Sequence, residues 1–183
     1  ALLVAGKDLR IERRSRVVTN QVLPFAALVL VLFAFALDPE RGVLAQATPG
    51  LFWIATLFID VLAVQRAFAV EAADGNRDAL VLSGLDPAGI FLGKAMALGL
   101  VLLAVEATLL AGVVLLFQAK LHGAGLVLAG ATCLAATAGL AAAGTLYGAL
   151  AAGSRVRDTL LPLLLLPVVA PVLIGATRSF EAA

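Results

Sequence analysis

Five apolar blocks, most of them long enough to cross a lipid bilayer, leave this chain few ways to fold. They run over 22–37, 51–70, 87–117, 126–151 and 159–176. About 20 apolar residues in a helix span the ~30 Å hydrocarbon layer. Backbone N–H and C=O groups inside that layer find no water, so a spanning segment is either a helix or part of a closed barrel. Barrel strands would be about 10 residues long with alternating polarity, and none of these blocks alternates. Composition agrees: 62% of the residues are hydrophobic and 14% charged, where a soluble domain has about half and about a quarter. The expected architecture is all-α and polytopic, a single transmembrane domain over 1–183.

The net charge of +1 gives no reason to expect a nucleic-acid partner; the partner that composition demands is the lipid bilayer. The single cysteine, Cys133, excludes an intrachain disulfide and a cysteine metal cluster. The basic start runs into a long apolar block without a small-residue cleavage site, so it reads as an anchor rather than a removable signal.

Residues 1–20 carry Lys7, Arg10, Arg13, Arg14 and Arg16 against Asp8 and Glu12, mixed with Leu2, Leu3, Leu9 and Ile11. This is an interfacial basic segment, either a helix lying on an anionic surface or a flank that orients the first span. Span 1 (22–37) is short, and a start one turn earlier is expected. The stretch 38–50, with two prolines, reads as a loop. Trp53 stands near one end of span 2 (51–70), where an interfacial indole belongs. Span 3 (87–117) has no proline after Pro87 and would be about 46 Å long at 1.5 Å per residue. Its first turns must leave the hydrocarbon, and Gly89 and Gly93 are places for a bend. Residues 154–158 form a short turn between spans 4 and 5, and 177–183 a frayed end.

Orientation follows from Lys and Arg. With the N-terminus inside, the inner segments hold Lys7, Arg10, Arg13, Arg14, Arg16, Arg66, Arg77, Lys94, Arg155 and Arg157. The outer segments hold Arg41, Lys120 and Arg178. The vote is for a cytoplasmic N-terminus.

The longest polar interruption between spans, 71–94, is then also cytoplasmic. It holds Glu71, Asp74, Arg77, Asp78, Asp86 and Lys94. Asp86-Pro87 reads as a helix start. The Asp86 carboxylate can accept from free amides of the next turn, and proline at the first helical position forfeits no bond the helix needed. Leu80, Leu82 and Leu85 supply an apolar ridge beside Asp74, Arg77 and Asp78. Such an elbow is suited to docking a soluble partner; its plain alternative is a re-entrant loop whose leucines dip into lipid.

The elbow resembles that of ABC-2-type exporter membrane subunits. The pattern is Asp74-Gly75-Asn76-Arg77-Asp78-Ala79-Leu80, Ser83, Asp86-Pro87 and then Gly93-Lys94. Within that class the whole chain is similar to the CcmB family of cytochrome c maturation. The shared features are the basic start, Pro24-Phe25, Pro49-Gly50-Leu51-Phe52-Trp53 and the proline-bearing Leu160–Gly175. The resemblance implies an ABC-2 exporter fold with a sixth span beyond the five, and a permease role in haem export or in release of a haem-loaded chaperone. It implies that ATP is hydrolysed by a separate cytoplasmic subunit docking on Asp74, Gly75, Arg77, Asp78, Leu80, Leu82, Ser83, Leu85, Asp86 and Pro87. Other membrane subunits and a haem chaperone would be partners. Haem would be cargo, with no cofactor held by this chain. The rival readings are an ABC-2 permease for a lipid or small hydrophobic compound, and a non-transporting scaffold.

The chain has no catalytic constellation. Gly89–Ala95 superficially resembles a P-loop, but its glycine spacing is one short and Ala95 lacks the hydroxyl that holds magnesium. Asp60 and Glu106 lie mid-span, where a carboxylate costs about 3 kcal/mol to insert. On antiparallel neighbouring spans and at similar depth, they line a polar seam or path, or form a proton site of raised pKa, or bind helix to helix as protonated acids through Thr56 or Thr108. His122 and Lys120 sit in a tight loop, and Cys133 and Met96 read as packing. Gly144 and Gly148 form a GxxxG pair, with Ala135, Gly139 and Ala143 as a second small-residue row. Small residues let helices approach closely in lipid.

Overall fold

A computed structural model describes residues 1–15, 20, 23–36, 42–72, 84, 86–116, 123–152 and 157–182. Among them there is no strand. The helices are α1 (Leu2–Ser15), α2 (Leu23–Ala36), α3 (Val43–Ala72), α4 (Pro87–Leu116), α5 (Gly123–Ala151) and α6 (Arg157–Glu181). Helices α3 to α6 are each long and apolar enough to cross a membrane, and α2 is a shorter apolar helix.

The core lies where α3, α4, α5 and α6 meet. It is filled by Phe52, Ile59 and Val64 of α3, Leu102 of α4, Leu140 of α5 and Leu165 of α6, all nearly or wholly inaccessible. The opposite faces are equally apolar: Ile54, Phe58 and Leu62 on α3 and Leu100 on α4 point outward. That is the arrangement of helices solvated by lipid, whose association rests on close packing rather than on hydrophobic exclusion. Glycine supplies the closest approaches. A Cβ added at Gly144 would stand 2.6 Å from Val64 Cγ2, and one at Gly148 would overlap the Phe68 ring. One added at Gly139 would meet Val172 of α6 at 3.5 Å. The Gly144–Gly148 row therefore seats α5 on α3 of the same chain. Ala135 of the second row faces outward.

Several boundaries differ from expectation. Helix α3 begins at Val43, with Pro49 inside it, so 43–50 is helix rather than loop. Proline removes one bond, but unwinding the turn would strand more backbone groups in apolar surroundings. Gly42, at φ 69°, adopts the left-handed conformation glycine tolerates, and its carbonyl accepts from Gln46 N at 3.2 Å. Trp53 is packed inside the bundle rather than on its outer face. It is 1% exposed, edge-on to Phe52 and Phe180 with ring centroids 5.2 and 5.5 Å away. Phe180 accounts for the length of the last helix: α6 continues to Glu181 because its last turn stacks on Phe52 at 4.8 Å. The same helix already begins at Arg157 and runs through Pro162, Pro167 and Pro171. Helix α4 is unbroken through Gly89 and Gly93. Helix α2 begins at Leu23, and the residues of the expected earlier turn, apart from Asn20, lie outside the described ones.

Candidate functional site

Two polar constellations interrupt the apolar bundle. The first gathers around the two helix ends that flank the elbow. Of the docking residues expected there, Asp74, Gly75, Arg77, Asp78, Leu80, Leu82, Ser83 and Leu85 lie outside the described residues; Asp86 and Pro87 lie within them. Gly89 N donates to Asp86 Oδ2 at 3.1 Å, and Ile90 N donates to the Asp86 carbonyl at 3.0 Å. Asp86 is therefore an N-cap and Pro87 the first residue of α4. The cap stabilises the helix end by about 1 kcal/mol and gives the elbow a firm exit.

Helix α1 packs across these ends. Its buried face is Val4 and Ala5, and Gly93 of α4 makes room for it. A Cβ at Gly93 would stand 2.5 Å from the Ala1 carbonyl oxygen and 2.7 Å from Val4 Cβ. Gly93 thus serves close approach, not a bend. Leu2 and Leu3 are instead exposed, at 76% and 80%, so the leucines of the basic segment do not form its inward stripe. Charge completes the docking. Asp8 Oδ2 accepts from Lys94 Nζ of α4 at 3.4 Å, and Asp8 Oδ1 pairs with Lys7 Nζ at 3.1 Å. Glu12 Oε2 pairs with Arg66 Nε of α3 at 3.6 Å. Lys94 is itself 6% exposed and lies 4.8 Å from the Phe68 ring centroid, a cation–π contact in a desolvated place. Phe68 in turn fills the hollow at Gly148. One ammonium thus links α1 and α3, and through Phe68 reaches α5. Neither ion pair was read from the sequence. The signal was there: Val4, Asp8 and Glu12 recur every four residues, one face of a helix.

The second constellation is in mid-bundle. Asp60 of α3 and Glu106 of α4 are 0% and 1% exposed. Glu106 Oε1 accepts from Thr137 Oγ1 of α5 at 2.7 Å, and the Cys133 thiol lies beside the same carboxylate. Asp60 Oδ1 faces Gly144 of α5, where an added Cβ would come within 3.4 Å. Thr56 and Thr108, the partners expected from the sequence, donate instead to carbonyls of their own helices, Phe52 at 3.0 Å and Ala104 at 2.9 Å. The three helices α3, α4 and α5 therefore share one polar junction. Met96 is half-exposed and Cys133 is buried; His122 and Lys120 lie outside the described residues.

The CcmB protein family matches residues 1–183, the whole length of the chain. This chain belongs to that family. Heme exporter protein B of Paracoccus denitrificans (strain Pd 1222) is 33% identical over 181 residues, covering 95% of this chain and 78% of the relative. Heme exporter protein B of Haemophilus influenzae is 32% identical over 188 residues, covering 100% and 81%. That of Pseudomonas aeruginosa is 32% identical over 194 residues, covering 100% and 80%. No solved structure matches. CcmB membership and four membrane-length helices make this a multi-pass membrane protein of a bacterial transport family.

Proposed function

We propose that the chain is the permease subunit of a haem exporter serving cytochrome c maturation. The observation that carries the reading is the match of the CcmB family, and of relatives named heme exporter protein B, along the full chain. A separate cytoplasmic ATPase docks on the elbow, with Asp78, Leu80, Leu82 and Leu85 as its contacts and the N-terminus on the same side. The capped start of α4 and the braced α1 support that role. A docking segment transmits force only if its flanking helices are held, and α1 is tied to α3 through Arg66 and to α4 through Lys94. The moving parts are then α3, α4 and α5, with Asp60 and Glu106 as a polar seam between them. Haem is the cargo of the assembly, and other membrane subunits and a haem chaperone complete it.

The test has two arms. In a strain lacking the native gene, the intact chain restores cytochrome c assembly; growth and membrane integrity without assembled cytochrome would rule the export reading out. In the purified complex, Asp78→Lys with Leu82→Asp abolishes co-purification of the ATPase. Retained binding and unchanged ATP turnover would move the docking site elsewhere.

A further inference from the structure

We infer that Asp60 and Glu106 form a proton-binding site at the junction of α3, α4 and α5. The inference deepens the reading of these residues as a polar seam. Both oxygens of Asp60 and Oε2 of Glu106 are buried without a hydrogen-bond partner. Three orphaned carboxylate oxygens in a dry place are an unusual arrangement, because buried polar atoms are nearly always satisfied and bare charge in hydrocarbon is costly.

The surrounding groups show what the site lacks. From α5, Thr137 donates to Glu106 Oε1 and Cys133 offers a weak thiol donor to the same residue. From α3, the Thr56 hydroxyl is spent on the Phe52 carbonyl. Arg66 and Lys94, the basic residues of α3 and α4, are directed to Glu12 and Asp8. Neither α2 nor the stretch 160–177 of α6 contains a charged residue. Among the described residues no basic side chain is paired with either carboxylate.

A proton supplies what is missing. On Asp60 it removes one charge and creates an O–H donor, and Glu106 Oε2 is an idle acceptor on the neighbouring helix. Asp60 feels the charge of Glu106, and two acids so coupled hold a proton jointly. A metal ion fits less well, since hard cations take six or more oxygens and no group of three or more metal-binding side chains occurs among the described residues. Gly144, seated beside Asp60 and Val64, marks where a small parting of α3 and α5 would admit water to exchange it.

Infrared spectroscopy of the full-length chain in lipid vesicles tests this. A carboxylic-acid C=O band is expected, downshifted in D2O, displaced in Thr137→Val, fading as pH rises, and lost in Asp60→Asn with Glu106→Gln. Both replacements keep side-chain size, and an unchanged melting curve checks folding. A spectrum unaltered by the double replacement would overturn the proposal. So would removal of the band by sodium at constant pH, which would assign the site to a metal cation. The readout needs neither haem nor ATPase, so its failure leaves the export reading standing, and failure of cytochrome assembly with the band intact overturns only that reading.

Discussion

The Lys94 ammonium is a single group on which three helices converge. It sits nearly dry between Asp8 and the Phe68 ring, so its partners are little screened by salt. Asp8→Ala is expected to weaken the seat of α1 by about 2 kcal/mol, the scale of a hydrogen bond to a charged group. Trypsin would then cut faster at Arg10, Arg13 and Arg14, and the double reversal Asp8→Lys with Lys94→Asp would recover resistance. Gly148 makes the opposite demand, for absence of a side chain. Gly148→Leu would drive into Phe68 and destabilise by about 1–3 kcal/mol as overpacking does. Gly175→Ala, with nothing within 4 Å, would leave the melting temperature unchanged. Asp86→Ala would remove the acceptor for Gly89 N and cost about 1 kcal/mol, seen as faster deuterium exchange at Gly89.

At the scale of elements, α1 is a brace held by the bundle itself. A helix held only by an anionic surface would present its apolar residues to lipid and its charges to water. Here Val4 and Ala5 are buried against α4, while Asp8 and Glu12 turn inward to Lys94 and Arg66. Deleting 1–15 should therefore loosen both helices that flank the elbow. Deuterium exchange at the end of α3 and the start of α4 would rise, while the middle of α5 would keep its protection. Helix α6 is continuous through three prolines. Each proline leaves one carbonyl without its helical donor, and α6 still packs on the core through Leu161, Leu165 and Val169. These residues recur every four positions and fall between the prolines on the helix surface.

For the whole molecule, the bundle is a stack of helices whose inner and outer faces are almost equally apolar. Spans and fold class were legible for that reason: long uncharged runs announce themselves without periodicity. Which face of each span turns inward was not legible, because Phe52 in the core and Phe58 toward lipid are the same residue type. The glycine rows were visible as patterns, but the neighbour each would meet was not. If the elbow is cytoplasmic, a cysteine placed at residue 76 would react with a membrane-impermeant reagent only after the inner face is opened. Reaction from the outside would reverse the orientation drawn from Lys and Arg.

Length and polarity along the chain determined that it is a helical membrane protein, where its charged elbow lies and that Asp86-Pro87 starts a helix, because these follow from bilayer thickness and local backbone chemistry. The motif around the elbow and the overall layout pointed to the CcmB family. Tertiary structure alone decided that Val43–Gly50 stays helical, that Trp53 is core, that the prolines do not break α6, and that α1 is pinned by Lys94 and Arg66. It also decided that α5, through Thr137 and Gly144, closes on the two carboxylates Asp60 and Glu106. These outcomes depend on which helices touch and at what depth, and an apolar sequence with no polar face to mark its inside does not carry that information.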